Sequence, residues 1–240
     1  ALGFPSTRLS AKDDWDVEAV LSPDGAKIAF ECQSPDPSRL CIISSDGSNR
    51  IRAPHISSRV MFLNWSPDSQ KVVFESEGIY IVKFDGSNCT QLTAPHNGIS
   101  YWDPKWSPDG RKIVFVVIDG ENWDIYTMNS DGAEQDNITN HPSMDYSPLW
   151  SADGRYIFFV SDRSGDDEIY RMNSDGSKVV NLTNSPNTED YLGSITRDGQ
   201  KIAFSVHDNN STPQEIDIYV MNSDGSGRKR LTETSDYDSD

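Results

Sequence analysis

Long apolar runs are missing from this 240-residue chain. No stretch approaches the roughly 20 consecutive apolar residues that a helix needs to cross a bilayer. Basic residues are scarce: 21 Lys and Arg stand against 38 Asp and Glu, for a net charge of -17. A field of that sign repels phosphate backbones and anionic lipid surfaces. Nucleic acid and direct membrane insertion are therefore excluded as expected partners, and cations or a basic protein are favoured. The single basic cluster, Arg228-Lys229-Arg230, reads as a solvated strand edge. Helical periodicity is absent. So are the G-x-S-x-G elbow, the H-E-x-x-H pair, the G-x-G-x-x-G turn and the phosphate loop. Disorder is also a poor description, because 10% of the residues are aromatic.

What the chain does contain is a repeat. WSPDG at 106–110 recurs as LSPDG at 21–25, WSPDS at 65–69, WSADG at 150–154 and ITRDG at 195–199. The turn aspartates Asp24, Asp68, Asp109, Asp153 and Asp198 are spaced by 44, 41, 44 and 45 residues. A period in that range points to a propeller or a solenoid. Four residues after each aspartate stands Ile28, Val72, Ile113, Ile157 or Ile202. Six after stands Phe30, Phe74, Phe115, Phe159 or Phe204. Such alternation is the strand period with one face buried. A second turn recurs at Asp46-Gly47, Asp85-Gly86, Asp131-Gly132, Asp175-Gly176 and Asp224-Gly225. An aromatic, β-branched strand precedes it, and a short strand ending in Leu-Thr or its like follows. Each repeat thus reads as four antiparallel strands, A to D, joined by tight turns. One such sheet cannot bury both faces, and radial stacking of copies does so. The predicted fold class is all-β, a β-propeller of four-stranded antiparallel blades, five by repeat count. The blades fall at about 16–59, 60–100, 101–144, 145–189 and 190–235, within one domain over 1–240. Residues 1–15 and 236–240 are placed at the ring seam.

The pattern W-S-P-D-G-x-x-I-x-F followed by D-I-Y-x-M-N-x-D-G-S-x-x-x-x-L-T resembles the WD-like repeat of TolB-type propellers. It is similar, too, to blades in the non-catalytic propeller of dipeptidyl-peptidase and prolyl-oligopeptidase relatives. The resemblance covers about the whole chain. It implies a protein-binding or scaffold module, not an enzyme, in the periplasm or outside the cell. TolB-type proteins usually have six blades and an additional α/β domain, so an excised part of a six-bladed parent is the competing architecture. Two other functions stay open. One is the gating propeller of a serine peptidase. The other is a carbohydrate-active or metal-dependent enzyme, which would need His and Arg clustered in the channel.

Binding is expected where the repeat varies, on the face of the B–C and D–A connections. Eight residues before each turn aspartate stand Asp16, Val60, Tyr101, Asp145 and Asp190. Val17, Met61, Trp102, Tyr146 and Tyr191 come next. Carboxylates interleaved with rings suit a cationic or amphipathic partner. The expected partner-binding set is Trp15, Asp16, Tyr101, Trp102, Asp103, Asp145, Tyr146, Asp190 and Tyr191, at the channel mouth. The competing reading has each Asp capping its strand and each Tyr packing between blades. No catalytic residue, resident metal or cofactor is assigned. Two acidic clusters, Asp119-Glu121-Asp124 and Asp162-Asp166-Asp167-Glu168, offer oxygens for calcium without EF-hand spacing. Cys41 occupies the slot held by Tyr80, Tyr126, Tyr170 and Tyr219 elsewhere. With Cys32 it flanks one hairpin, and in an exported protein these two are the pair placed to form a disulfide. Cys89 reads as a free thiol.

Overall fold

The computed structural model describes residues 16–32, 39–53, 59–208 and 215–232, and among them every regular element is a strand. The first sheet contains β1 (Asp16–Leu21), β2 (Lys27–Cys32), β3 (Arg39–Ser44) and β4 (Ile51–Arg52). The second contains β5 (Met61–Trp65), β6 (Lys71–Glu75), β7 (Ile79–Lys83) and β8 (Thr90–Gln91). The third contains β9 (Ile99–Trp106), β10 (Lys112–Asp119), β11 (Asn122–Asn129) and β12 (Asp136–Asn137). The fourth contains β13 (Asp145–Trp150), β14 (Tyr156–Ser161), β15 (Glu168–Asn173) and β16 (Val180–Asn181). The fifth contains β17 (Thr188–Ile195), β18 (Lys201–Asp208), β19 (Glu215–Asn222) and β20 (Lys229–Arg230). Within every sheet the strands lie in chain order. Five four-stranded antiparallel meanders are the blades of a five-bladed β-propeller. The chain divides into two compact units, Ala1–Trp106 and Ser107–Asp240.

The recurring turn has one chemistry. In WSPDG, Asp109 Oδ1 accepts the Ser107 hydroxyl at 2.6 Å and the Arg111 amide at 3.1 Å. The same Ser107 oxygen accepts the Lys112 amide at 2.9 Å. Asp24, Asp68, Asp153 and Asp198 make the matching pair of bonds in their own turns. Glycine closes the turn at φ near 70°, as at Gly110 and Gly154, where a Cβ would strain the backbone. Ser69 carries φ 59° at that place in the second sheet. These bonds to the ionised form hold the turn carboxyls below their ordinary value, to about 2 for Asp24 and Asp153.

In the first unit the core between sheets one and two joins Leu40, Ile42, Val60, Trp65, Val72 and Phe74. Trp65 Nε1 donates to the Val20 carbonyl at 3.1 Å, tying the end of one inner strand to another. Behind it Phe30 packs with Cys32, Cys41 and Ile43. Cys32 and Cys41 form a disulfide with Cα atoms 5.8 Å apart. Cys89 is a free thiol. In the second unit Val114, Ile125, Ile157, Phe159 and Met172 build one core, and Phe158, Ile169, Ile202, Phe204 and Met221 the next. All five repeat phenylalanines are buried, none more than 5% exposed. In sheets two to five the ring lies against the tyrosine of strand C, with centroids 5.6–5.9 Å apart. Cys41 takes the tyrosine's place in sheet one, opposite Phe30.

Strand C also explains its acid. Thr139 Oγ1 accepts the Ile125 amide at 2.9 Å and donates to Asp124 at 3.1 Å. Glu168 with Thr183, and Asp217 with Thr232, repeat the relay. The acid before Ile and the Thr after Leu are thus one tie between strands C and D. In sheet two Gly78 stands in the acid's place, where a Cβ would meet the Thr93 carbonyl oxygen at 2.2 Å. Thr93 still accepts the Ile79 amide there at 2.9 Å.

Candidate functional site

The inner strands carry the residues expected to bind. Their alternation separates two sets. At the first position Val60, Tyr101, Asp145 and Asp190 are buried, and Asp16 is half-buried. At the next position Val17 and Trp102 are each 37% exposed, while Met61, Tyr146 and Tyr191 are half-buried. Trp15 lies outside the described residues.

The first-position aspartates are ion-paired inside their own sheets. Asp145 meets Arg163 at 2.7 Å, Asp190 meets Arg228 at 3.5 Å and Asp16 meets Arg50 at 3.4 Å. Each guanidinium also stacks on the buried phenylalanine of its sheet: Arg163 on Phe159, Arg228 on Phe204 and Arg50 on Phe30, each with 5.3 Å to the centroid. Burial lifts the Asp145 and Asp190 carboxyls above the ordinary range, against the pull of their arginines and hydroxyl donors. Asp145 and Asp190 are thus placed beneath the surface, not on it. A signal for this was present in the repeat. Four residues after the second turn aspartate stand Arg50 and Arg228 in the repeats whose first position is Asp16 and Asp190. Cys89 and Gln135 stand there in the repeats whose first position is Val60 and Tyr101. Sheet four has Val179 at that place and draws Arg163 from its B–C hairpin instead.

The inner strands are also bulged, a feature invisible in residue types. Glu18, Phe62, Asp103 and Ser147 hold φ of 49–54° six residues before their turn aspartates. Register shifts between Val17 and Val20, Met61 and Asn64, and Tyr146 and Leu149 mark the same places. A left-handed backbone at a non-glycine residue costs roughly 1–2 kcal/mol, and bulges often re-aim side chains beside sites.

In the first unit these bulges bring together residues that the sequence pattern did not connect. Phe62 and Trp102 lie 5.8 Å apart, centroid to centroid. Glu18 accepts the Phe62 amide at 3.0 Å. Asp103 is taken up by Lys105 at 2.6 Å. Beneath, Glu75 is 8% exposed, and its Oε2 has no hydrogen-bond partner among the described residues. Burial, with Glu18 and Glu77 nearby, pushes its carboxyl up to about 7.

In the second unit Tyr146 and Tyr191 lie beside the Asp167 carboxylate, and the Tyr191 hydroxyl donates to Glu189 at 2.7 Å. Burial and these carboxylates push both phenols well above their ordinary value. Trp123 lies edge-on to Tyr146 at 6.1 Å, and His207 edge-on to Tyr191 at 4.7 Å. Glu189 and Trp123 were missed by the sequence pattern because they come from hairpins and strand ends that carry no repeat signature, and Asp167 was named only among the oxygens offered for calcium.

Three of the acids named for calcium have hydrogen-bond partners within the chain. Asp124 accepts from Asn122, Asn137, Thr139 and the His141 amide. Asp162 accepts the Met144 amide, and Asp166 the Asn187 amide. Among the described residues no group of three His, Cys, Asp or Glu is arranged to hold a metal ion.

A family model described as the TolB beta propeller domain matches residues 31–240. No curated protein matches the sequence. Solved structures similar to the chain include a protein described as TolB from Agrobacterium tumefaciens, with 22% identity, 93% of this chain and 83% of that one covered, and a TM-score of 0.73. TolB from Acinetobacter baumannii is 23% identical over 90% of this chain and 52% of its own, with a TM-score of 0.67. An oligogalacturonate lyase in complex with manganese is 13% identical over 94% of this chain and 68% of its own, with a TM-score of 0.78.

Proposed function

The chain belongs to the TolB beta propeller domain family, and from that premise we propose that it is a non-catalytic module that docks a protein partner on its inner strands. The observation that carries the reading is Trp102, an indole 37% exposed on a rigid strand and braced by Phe62. An exposed ring held by a second ring loses little entropy on binding, and such aromatic anchors dominate interface energies. Glu18, which accepts the Phe62 amide, adds an acidic neighbour to the ring pair. In the second unit the reading gives Tyr146, Asp167 and Glu189 an electrostatic part. Carboxylates there attract a cationic segment and set its on-rate more than its final affinity. Asp145 and Asp190 act only by holding their strands.

The reading needs no cofactor. It places the protein in the periplasm or outside the cell, where the Cys32–Cys41 disulfide is stable. The fold likeness to a lyase assigns no chemistry here, because one fold hosts many functions. The test is capture from the source extract, followed by binding kinetics on the captured protein. Trp102→Ala is expected to lose at least about 2 kcal/mol of binding while the melting temperature holds. Normal capture by Trp102→Ala, with loss on altering the opposite strand ends at Ser130 or Ser174, would move the site to the other side of the sheets.

A further inference from the structure

The repeats are an internal standard for one another, and the fourth departs from it at one place. Where the first turn carries Pro23, Pro67 and Pro108, the fourth repeat has Ala152. Where strand B begins with Lys27, Lys71, Lys112 and Lys201, it has Tyr156. Two residues on, Ala29, Val73, Val114 and Ala203 give way to Phe158. Opposite Phe158 on strand C stands Arg171, where the other sheets have Ile42, Ile81, Thr127 and Val220. All four departures line one cavity of 370 Å³ between sheets four and five, inside the second compact unit. A cavity of this size can enclose a small molecule.

The departures change what the cavity can recognise. The Arg171 guanidinium lies over the Tyr156 ring at 4.7 Å, and its Nη1 donates to the Ser223 carbonyl at 3.2 Å. Ring and carbonyl hold the guanidinium in place, and no carboxylate among the described residues pairs with it. Arg155 lies over the same ring at 5.8 Å, but Asp153 takes up its charge at 2.6 Å. From sheet five Asp198 enters the lining. Its Oδ1 accepts the Thr196 hydroxyl and the Gln200 amide, and its Oδ2 accepts no hydrogen bond among the described residues. Lys201, whose charge lies near Asp198, donates to Asn222 at 3.1 Å. One cation and one anion are thus left over, on opposing sheets, with the Tyr156 and Phe158 rings as an apolar wall. Ala152 keeps the cavity open. A Cβ at Gly199 would already stand 3.2 Å from the Ala152 Cβ, so the larger proline ring of the other turns would crowd this one.

We propose that this cavity binds a free α-amino acid with an apolar side chain. Such a zwitterion brings a carboxylate for Arg171, whose planar fork of N–H donors matches it, and an ammonium for Asp198. The side chain rests on Tyr156 and Phe158. A ligand with a charge of one sign leaves either Arg171 or Asp198 unmet as water is displaced, and that loss of hydration weakens binding. A zwitterion also has no net charge, so the -17 of the chain does not repel it. None of the residues used here belongs to the docking of a protein partner on Trp102, so either can fail without the other.

Equilibrium dialysis of L-leucine against the full chain is expected to show saturable binding with Kd below about 1 mM. N-acetyl-L-leucine lacks the ammonium and L-leucinamide lacks the carboxylate, and each should bind at least about 10-fold more weakly. Arg171→Thr and Ala152→Pro write in the residues of the third repeat, whose sheet folds with them. Each should weaken leucine binding at least about 10-fold with circular dichroism held, and Arg171→Lys serves if Arg171→Thr misfolds. Asp198→Asn keeps the turn's acceptor oxygen and should weaken leucine about 5-fold. Trp102→Ala should bind leucine as wild type does. No saturable binding up to about 10 mM would overturn the proposal. So would binding that survives Arg171→Thr and Arg171→Lys, or either analogue binding as well as leucine.

Discussion

Glu75 shows how much one residue's place in a sheet decides. It ends strand B directly after Phe74, where sheets three and four carry Val116 and Val160. Those are buried at no electrostatic cost, whereas Glu75 takes a carboxyl into the same layer with Glu18 and Glu77 close by. Its carboxyl, ordinarily near 4.5, is raised to about 7 in the fold. A raised acid adds stability that is fully present below its unfolded value and is lost as pH rises through the folded value. Between pH 4.5 and 7 the protein should therefore soften. Glu75→Gln removes the ionisation. It should match wild type at pH 4 and exceed it by roughly 1–2 kcal/mol at pH 8. Urea titrations at the two pH values check this, and equal differences at both would show that Glu75 does not titrate in that window.

Each inner strand depends on what stands across from the residue eight before its turn aspartate. Asp190 is enclosed, and Arg228 both neutralises it and covers Phe204. Removing one partner of a buried pair strands a charge and costs more than the pair contributes. Arg228→Ala should accordingly lose about 2–4 kcal/mol. The second sheet solves the same geometry with Val60 and Cys89. Writing that solution into the fifth sheet, as Asp190→Val with Arg228→Cys, should bring stability back to within about 1 kcal/mol of wild type. Thermal melts of the three proteins under reducing conditions read this directly. A double variant as unstable as Arg228→Ala would mean that the strand needs the ion pair itself, not a filled and neutral site. The bulges at Glu18, Phe62, Asp103 and Ser147 belong to this scale as well, since a strand that carries one turns its exposed residue away from simple alternation.

Across the whole molecule a charge of -17 is spread over repeated turns that use carboxylates as hydrogen-bond acceptors. Asp24, Asp46, Asp68, Asp85, Asp109, Asp153, Asp175, Asp198 and Asp224 are all held below their ordinary value, foremost by a neighbouring hydroxyl. A lowered acid contributes stability above its unfolded value that is lost as pH falls through the folded one. For Asp24 and Asp153 the window runs from about pH 4 down to about pH 2, and the other turn carboxylates lose their contribution as pH falls below the same upper edge. Near-ultraviolet circular dichroism should show a cooperative acid transition in that window. Asp153→Asn should make the fall of melting temperature with acid shallower, and an unchanged slope would remove the turn carboxylates as its cause. On the proposed docking, a basic ligand should be drawn in faster at low salt, while Trp102→Ala should lower the final affinity at any salt.

The repeat sequence alone determined the strand order, the two turns of each sheet and the buried phenylalanines, because these depend on neighbours a few residues apart. A Ser-x-Asp-Gly turn closes on its own hydroxyl and amides, and a strand's alternation reports its buried face wherever it folds. It also located the Cys32–Cys41 pair, since the antiparallel register of one hairpin decides that contact. Tertiary structure decided the site. Asp145 and Asp190 could be exposed acids by pattern, and only the fold brings arginines from a B–C hairpin and a C–D turn onto them. Phe62 meets Trp102 because backbone bulges aim two inner strands at one point, and no residue type marks those bulges.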